Sequence, residues 1–210
     1  IEARVRARVS EKEKPQGRFV TSDELLSLGF KLMDGSNSQT SDRLKAIDFR
    51  DGFMISLLAV RPMRRKNFAG LRLGHNIVNR NGSWRIILHK DETKTHGHMD
   101  VEWPLDLIGP LEVYLDIHRP VLMAKKGRWH NQVGDAFWVS SHGSPLTQMA
   151  FYQQITKRTQ EYLGKSVNPH QFRHSAASTL AAEMPAHVRV SASILGHASF
   201  PVSYTHLRAH

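Results

Sequence analysis

The sequence contains no cysteine. Disulfides and thiolate metal sites are therefore excluded, and the composition fits a reducing, cytoplasmic setting. No apolar run reaches the roughly 18 residues that a membrane-spanning helix needs. No secretory leader is visible, because the N-terminal stretch IEARVRARVSEKEKPQGR is charged throughout. There is no Gly-rich phosphate loop, no internal repeat and no low-complexity tract. Acid is also in short supply: 29 Lys and Arg face 19 Asp and Glu, for a net charge of +10. That balance favours a polyanionic partner, nucleic acid before others. The 210 residues suffice for one domain with a real core. The first residue is Ile1 rather than Met, which reads as a fragment or a processed form.

The positive charge is not spread evenly. The stretch VRPMRRKNFAGLR, residues 60–72, carries Arg61, Arg64, Arg65, Lys66 and Arg72 without a single acid. It follows the apolar run FMISLLAV, so the basic residues start from the end of a buried helix. Residues 1–18 read as a basic linker or the end of a preceding DNA-binding domain.

Periodicity and punctuation suggest a mainly helical α+β domain with one small antiparallel sheet. TSDELLSLGFKLM predicts a helix capped by Ser22, with Asp23 and Glu24 in its first turn. A second helix is expected over about 43–60. LRLGHNIV, SWRIILH and MDVEWPL read as three strands, the first two joined through the NRNG turn. Helices are expected at about 105–126 and 146–163, the latter with Ser144 as cap, Pro145 in its first turn and Gly164 as its stop. A helix opening at Asn168-Pro169 and a last one over about 186–195 complete the reading.

The stretch HQFRHSAAS holds the densest chemistry. His170, Arg173 and His174 fall at helical spacing and share one face. Two histidines four apart could ligate a metal, which makes a metal-dependent hydrolase one reading. The glutamate of the HExxH pattern is missing, however, and Arg173 would repel a second cation. The other reading is an anion site: a guanidinium offers a planar fork for phosphate oxygens, and an imidazole moves a proton near neutral pH. As a purely structural residue, Arg173 would be a surface charge and His170 a helix start.

Three further pieces tip the balance: the arginines around Arg64, ETKT with Lys94 in a hairpin turn, and LGHAS with His197 after Gly196. HxxRH and LGHxS stand in that order 23 residues apart, from His174 to His197. Over about residues 19–200 the chain resembles the catalytic domain of the tyrosine recombinases, or phage integrases. The resemblance implies the tyrosine recombinase catalytic fold and site-specific DNA strand cleavage and rejoining through a phosphotyrosine. Arg64 would match the first arginine, counted back from Leu71-Arg72, with Arg61 its rival. Arg64 and Arg173 would clamp the scissile phosphate. Lys94, with Lys90 as alternative, would protonate the leaving 5′ oxygen. His170 would assist proton transfer, and His197 would hydrogen-bond the phosphate, while His174 would be structural. Arg61, Arg65 and Lys66 would touch DNA. Fixed cations can stabilise the charge that builds on the phosphate. The resemblance thus implies no metal and no nucleotide cofactor. Its implied partners are double-stranded DNA and, for a full-length parent, three further copies in a tetramer on synapsed DNA. A bacterial or phage-encoded, nucleoid-associated cytoplasmic protein is expected. A non-catalytic DNA-binding protein of the same fold is the rival from another class, and type IB topoisomerases share the chemistry.

The nucleophile does not fall into place. The family's tyrosine stands about nine residues past the third-motif histidine, where this chain has His206; Tyr204 is two residues short, a turn of about 200° on a helix. The tail VSYTHLRAH is also what an adapter of transposase-based sequencing libraries encodes in one frame. Residues 201–210 are therefore expected to derive from an adapter, leaving this fragment without its nucleophile and inactive in cleavage.

Overall fold

The computed structural model describes residues 20–93, 97–125 and 132–183, with side chains as far as residue 179. Helix α1 spans Ser22–Gly35. Its cap is Thr21, not Ser22 as the sequence suggested. Thr21 Oγ1 accepts from the Glu24 N–H at 3.2 Å, and Glu24 Oε2 accepts from the Thr21 N–H at 2.9 Å. This reciprocal box needs Glu at the third helical position, and only Thr21 places Glu24 there. Helix α2, Asp42–Val60, is capped by Ser41. From Asp48 to Val60 every residue of it is buried, so it is the central helix, enclosed on all sides.

Helices α1 and α2 touch backbone to backbone. A Cβ placed on Gly52 would stand 2.5 Å from the Gly29 carbonyl oxygen, and one on Gly29 would stand 2.1 Å from Ser56 Oγ. No side chain fits there. Gly52→Ala is therefore expected to push the helices apart and destabilise the domain by about 1–3 kcal/mol, the usual penalty of overpacking. Chemical denaturation of the two chains side by side measures it; an unchanged midpoint would mean that the two helices separate freely.

The chain leaves α2 through Arg61, turns at Pro62-Met63 and enters the short helix α3, Arg65–Ala69. A three-stranded antiparallel meander follows: β1, Ile77–Arg80; β2, Ser83–Leu88; β3, Met99–Glu102. Asn81 (φ 53°) and Gly82 (φ 83°) form the two-residue β1–β2 turn, the conformation an Asn-Gly pair favours. The expected first strand, 71–78, is shifted. Gly74 adopts φ 75° and breaks it. Leu71 and Leu73 pair instead with the segment before Trp138: the Leu73 N–H donates to the Asp135 carbonyl at 2.7 Å, and the Phe137 N–H to the Leu71 carbonyl at 2.8 Å.

The helix expected over 105–126 is four pieces. A 3₁₀ turn, Leu105–Leu107, leads into α4, Ile108–Val113; a π segment, Tyr114–His118, leads into α5, Arg119–Met123. The widened turn lies just before Pro120, whose ring would collide with the carbonyl four residues back in a regular helix. It also seats Tyr114 in the core, where its hydroxyl donates to the Phe137 carbonyl and accepts from the Val139 N–H. Around it gather Phe53, Phe137 and Trp138, with ring centroids 5.5–5.7 Å from that of Tyr114. Helix α6, Gln148–Leu163, is capped by Thr147 and ends at Gly164 with φ 66°. The expected cap, Ser144, instead exchanges hydrogen bonds with Ser140 in the preceding turn. Helix α7 spans Pro169–Glu183. The expected helix over 186–195 lies outside the described residues.

Candidate phosphate-binding cleft

Two helix starts and one helix face meet around an open cleft of about 570 Å³. It is lined by Arg64 and Arg65 before and in α3, by Tyr152 on α6, and by His170, Arg173 and His174 on α7.

Each wall is fixed by local chemistry. Arg64 is the extended N-cap of α3 (φ −65°, ψ 143°), so its side chain leaves the chain as the backbone turns into the helix. A five-residue helix cannot hold itself. Phe68, fully buried, anchors it: its ring stacks on Phe151 of α6 at 4.8 Å and on Trp138 at 5.3 Å. Arg65 lies over the Tyr152 ring at 5.8 Å, a cation–π contact tying α3 to α6 a second time.

Helix α7 begins as the sequence suggested. Asn168 Oδ1 accepts from the N–H groups of His170 and Gln171 at 3.0 and 3.1 Å, and Gln171 Oε1 accepts from the Asn168 N–H at 2.7 Å. This is a capping box built from Asn and Gln. It sets the rotation of α7: Phe172, Ser175 and Ala176 are buried, which leaves Arg173 half-buried and both histidines exposed on the cleft side. Ser175 Oγ donates to the Val20 carbonyl at 2.7 Å and pins α7 to the entry of α1.

Two features give the cleft its character. Partial burial, and then the positive charge of Arg64, push the Arg173 guanidinium below its ordinary pKa. Two guanidiniums within electrostatic reach repel each other, and an anion between them would relieve both. Beside them His170 Nε2 and His174 Nε2 are 3.0 Å apart, rings nearly perpendicular at 86°. One imidazole must donate and the other accept, so the pair can hand on a proton. His174, expected to be structural, is thus bonded to His170 and lines the cleft itself.

The remaining expected residues divide as follows. Arg61 is not at the cleft: it caps α2, and its guanidinium donates to the carbonyls of Val60 at 3.1 Å and Glu102 at 3.3 Å. Lys66 is exposed on α3 but does not line the cleft. Lys90 is exposed at the start of the β2–β3 hairpin. Lys94, His197 and Tyr204 lie outside the described residues. Tyr152 was not anticipated: a single aromatic on an amphipathic helix carries no signal in the sequence that it faces a site.

Residues 29–210 match the phage integrase family as a sequence family. Among curated proteins, the chain is 28% identical over 174 residues to tyrosine recombinase XerD of Staphylococcus saprophyticus, covering 80% of this chain and 54% of that protein. It is 28% identical over 181 residues to tyrosine recombinase XerC of Actinobacillus succinogenes, covering 84% and 54%. The chain thus spans about half the length of these relatives. In three dimensions it resembles XerH site-specific recombinase, solved bound to its difH substrate before cleavage, with a TM-score of 0.59 at 21% identity over 87% of this chain and 48% of that one. The same enzyme's post-cleavage complex on a palindromic difH substrate gives 0.58 at 22% identity, over 86% and 46%. At such identities the likeness establishes the fold: the mainly helical recombinase architecture with its small antiparallel sheet.

Proposed function

The chain belongs to the phage integrase family, and from that premise we propose that it is the catalytic domain of a site-specific tyrosine recombinase acting on double-stranded DNA. The observation that carries this reading is the convergence of Arg64 and Arg173, from opposite ends of the sequence, on one cleft beside a hydrogen-bonded histidine pair.

A phosphodiester bound there would place its non-bridging oxygens between the two guanidiniums. As a tyrosine oxygen forms a bond to phosphorus, the bond to the 5′ oxygen breaks. The phenolic proton leaves toward His170, which can share it with His174. Lys94 delivers a proton to the departing 5′ oxygen, and His197 donates to the phosphate. The phosphotyrosine conserves the bond energy, so the 5′ hydroxyl of another strand can reverse the step without a nucleotide cofactor. The arginines act by holding positive charge where negative charge develops. Arg65 and Lys66 on α3 would follow the DNA backbone away from the cleft, whereas Arg61, tied to two carbonyls, supports the wall. The nucleophile stays unassigned: Tyr204 stands seven residues after His197. Sequencing the source DNA across the codons for residues 200–210 tests the adapter reading of this segment.

Binding is testable on the chain itself. Its affinity for a short duplex is expected to fall linearly with salt on logarithmic axes, and Arg173→Ala to flatten the slope by about one unit, as for one lost phosphate contact. Fluorescence anisotropy at four or five salt concentrations measures both. A salt-independent affinity would sink the DNA reading. Binding without any covalent DNA adduct in a chain carrying the tyrosine would leave a DNA-binding module of recombinase fold.

A further inference from the structure

Away from the cleft, a second cluster of ionisable side chains gathers where the loop before β1 meets the β2–β3 hairpin. His75, His89 and Glu92 each offer one ligand atom, and the three atoms lie within 4.8 Å of one another. All three residues are partly buried, which leaves them reachable from solvent. We propose that His75, His89 and Glu92 form a binding site for a divalent transition-metal ion of the zinc class.

The spacing suits such an ion. Bonds of about 2.0–2.1 Å in tetrahedral geometry set ligand atoms roughly 3.4 Å apart. His75 Nε2 and Glu92 Oε1 already stand at 3.4 Å. The His75 and His89 rings lie 4.8 Å apart between centroids and are tilted by 36°, so a modest rotation of either ring brings its nitrogen to the same centre. His98, exposed just before β3, has its ring 6.0 Å from that of His89 and is the nearest further imidazole among the described residues. Two imidazoles with one carboxylate suit zinc, cobalt or nickel and disfavour magnesium or calcium, which prefer oxygen ligands.

The carboxylate is held as a ligand would need to be. The His89 N–H donates to Glu92 Oε2 at 2.8 Å, and Asn76 Nδ2 lies 3.1 and 3.0 Å from the two oxygens. Asn76 is itself fixed: its Nδ2 also donates to the Ile87 carbonyl, and its Oδ1 accepts from the Arg72 N–H. Such outer partners orient a ligand and keep it charged. Both faces of the site are set by backbone geometry: β1 and β2 are paired, with Ile77 opposite Ile86, which brings the residue before Asn76 beside the end of β2.

The site does not depend on the recombinase reading, though its position bears on it. Glu92, in the β2–β3 hairpin, stands two residues before Lys94 in the sequence. A bound cation would cross-link that hairpin to the loop at Gly74-His75.

The test is a calorimetric titration of the chelator-washed chain with Zn²⁺, repeated with Mg²⁺ and with Co²⁺ under an absorption spectrometer. One Zn²⁺ equivalent with at most micromolar dissociation constant is expected, with intense d–d bands for Co²⁺ and no response to Mg²⁺. His75→Ala and His89→Ala should each weaken Zn²⁺ binding at least about tenfold, the low end for lost outer partners and a floor for lost ligands. The His170→Ala/His174→Ala chain should bind as before. Absence of the equivalent overturns the proposal, as does undiminished binding in both single variants. Should alanine at His89 unfold the chain, imidazole resonances of the unsubstituted protein decide. Zn²⁺ must then perturb His75 and His89 ahead of His170 and His174; the reverse order overturns the site.

Discussion

Arg64→Ala and Arg173→Ala are each expected to lower strand cleavage by roughly 10²–10³-fold, the usual loss when one fixed donor to a developing anion is removed. The assay is covalent trapping on a nicked duplex, made with a chain that carries the nucleophile at the family spacing. Thermal melting should show both variants folded. Loss of activity without loss of stability separates a group that acts on the substrate from one that holds the wall.

Arg173→Lys sharpens the result. Lysine keeps the charge but replaces a planar fork by a point, and two-oxygen recognition of a phosphate needs the fork. Most of the loss should therefore persist. Arg61→Ala is the contrast. Its guanidinium reaches the Val60 and Glu102 carbonyls, so its removal should lower the melting temperature first and cleavage only as the fold loosens. If Arg61→Ala instead abolished cleavage in a fully folded chain while Arg64→Ala did not, the two arginines would have to exchange roles.

In the sequence, only the count back from Leu71-Arg72 favours Arg64 over Arg61. RPMRR presents both within three residues, on a segment whose direction depends on where α2 stops. That stop is tertiary: the Arg61 side chain finds a carbonyl on β3, 41 residues away. Helix α3 was invisible for a related reason, since five residues have no periodicity to read and are held by Phe68 and Arg65 against α6. What was legible rested on short-range chemistry. Asn168-Pro169 fixes the start of α7, and with it the face carrying His170 and Arg173, through hydrogen bonds that span three residues. Asn81-Gly82 closes its hairpin by backbone preference. Where two residues offered the same chemistry, as Thr21 and Ser22 did, the deciding partner Glu24 was in the sequence. Ser144 lost to Thr147 through its turn with Ser140, a contact the spacing SPLT does not announce. Gly74 and Pro120 mark where the first strand and the long helix break, but the pairing of Leu71 and Leu73 and the seat of Tyr114 rest on long-range contacts with residues 135–139.

The largest effect on stability is expected at Asp51. This carboxylate is fully buried and joins two guanidiniums. Its Oδ1 accepts from Arg50 Nε at 3.0 Å and Nη2 at 2.6 Å; its Oδ2 accepts from Arg158 Nε at 2.9 Å. Arg50 is 1% exposed and spends its remaining reach on the Val139 carbonyl, while Arg158 also pairs with Asp48. Asp51→Ala would leave the Arg50 charge buried without a counterion, which costs about 3–5 kcal/mol. Replacing both Arg50 and Asp51 by Met and Leu removes the pair together, and should restore much of the loss, because an apolar substitute need not be desolvated. Urea unfolding of the three chains measures the difference. Equal destabilisation in the single and double variants would show that the ion pair itself, rather than the orphaned charge, carries the stability. The comparison also reaches the cleft. Arg158 on α6 is the arm by which α2 holds that helix, and α6 carries Phe151 under α3 and Tyr152 over Arg65. If the double variant recovers stability but loses duplex affinity, the buried charges serve to set the rotation of α6, and so the wall against which Arg64 is aimed.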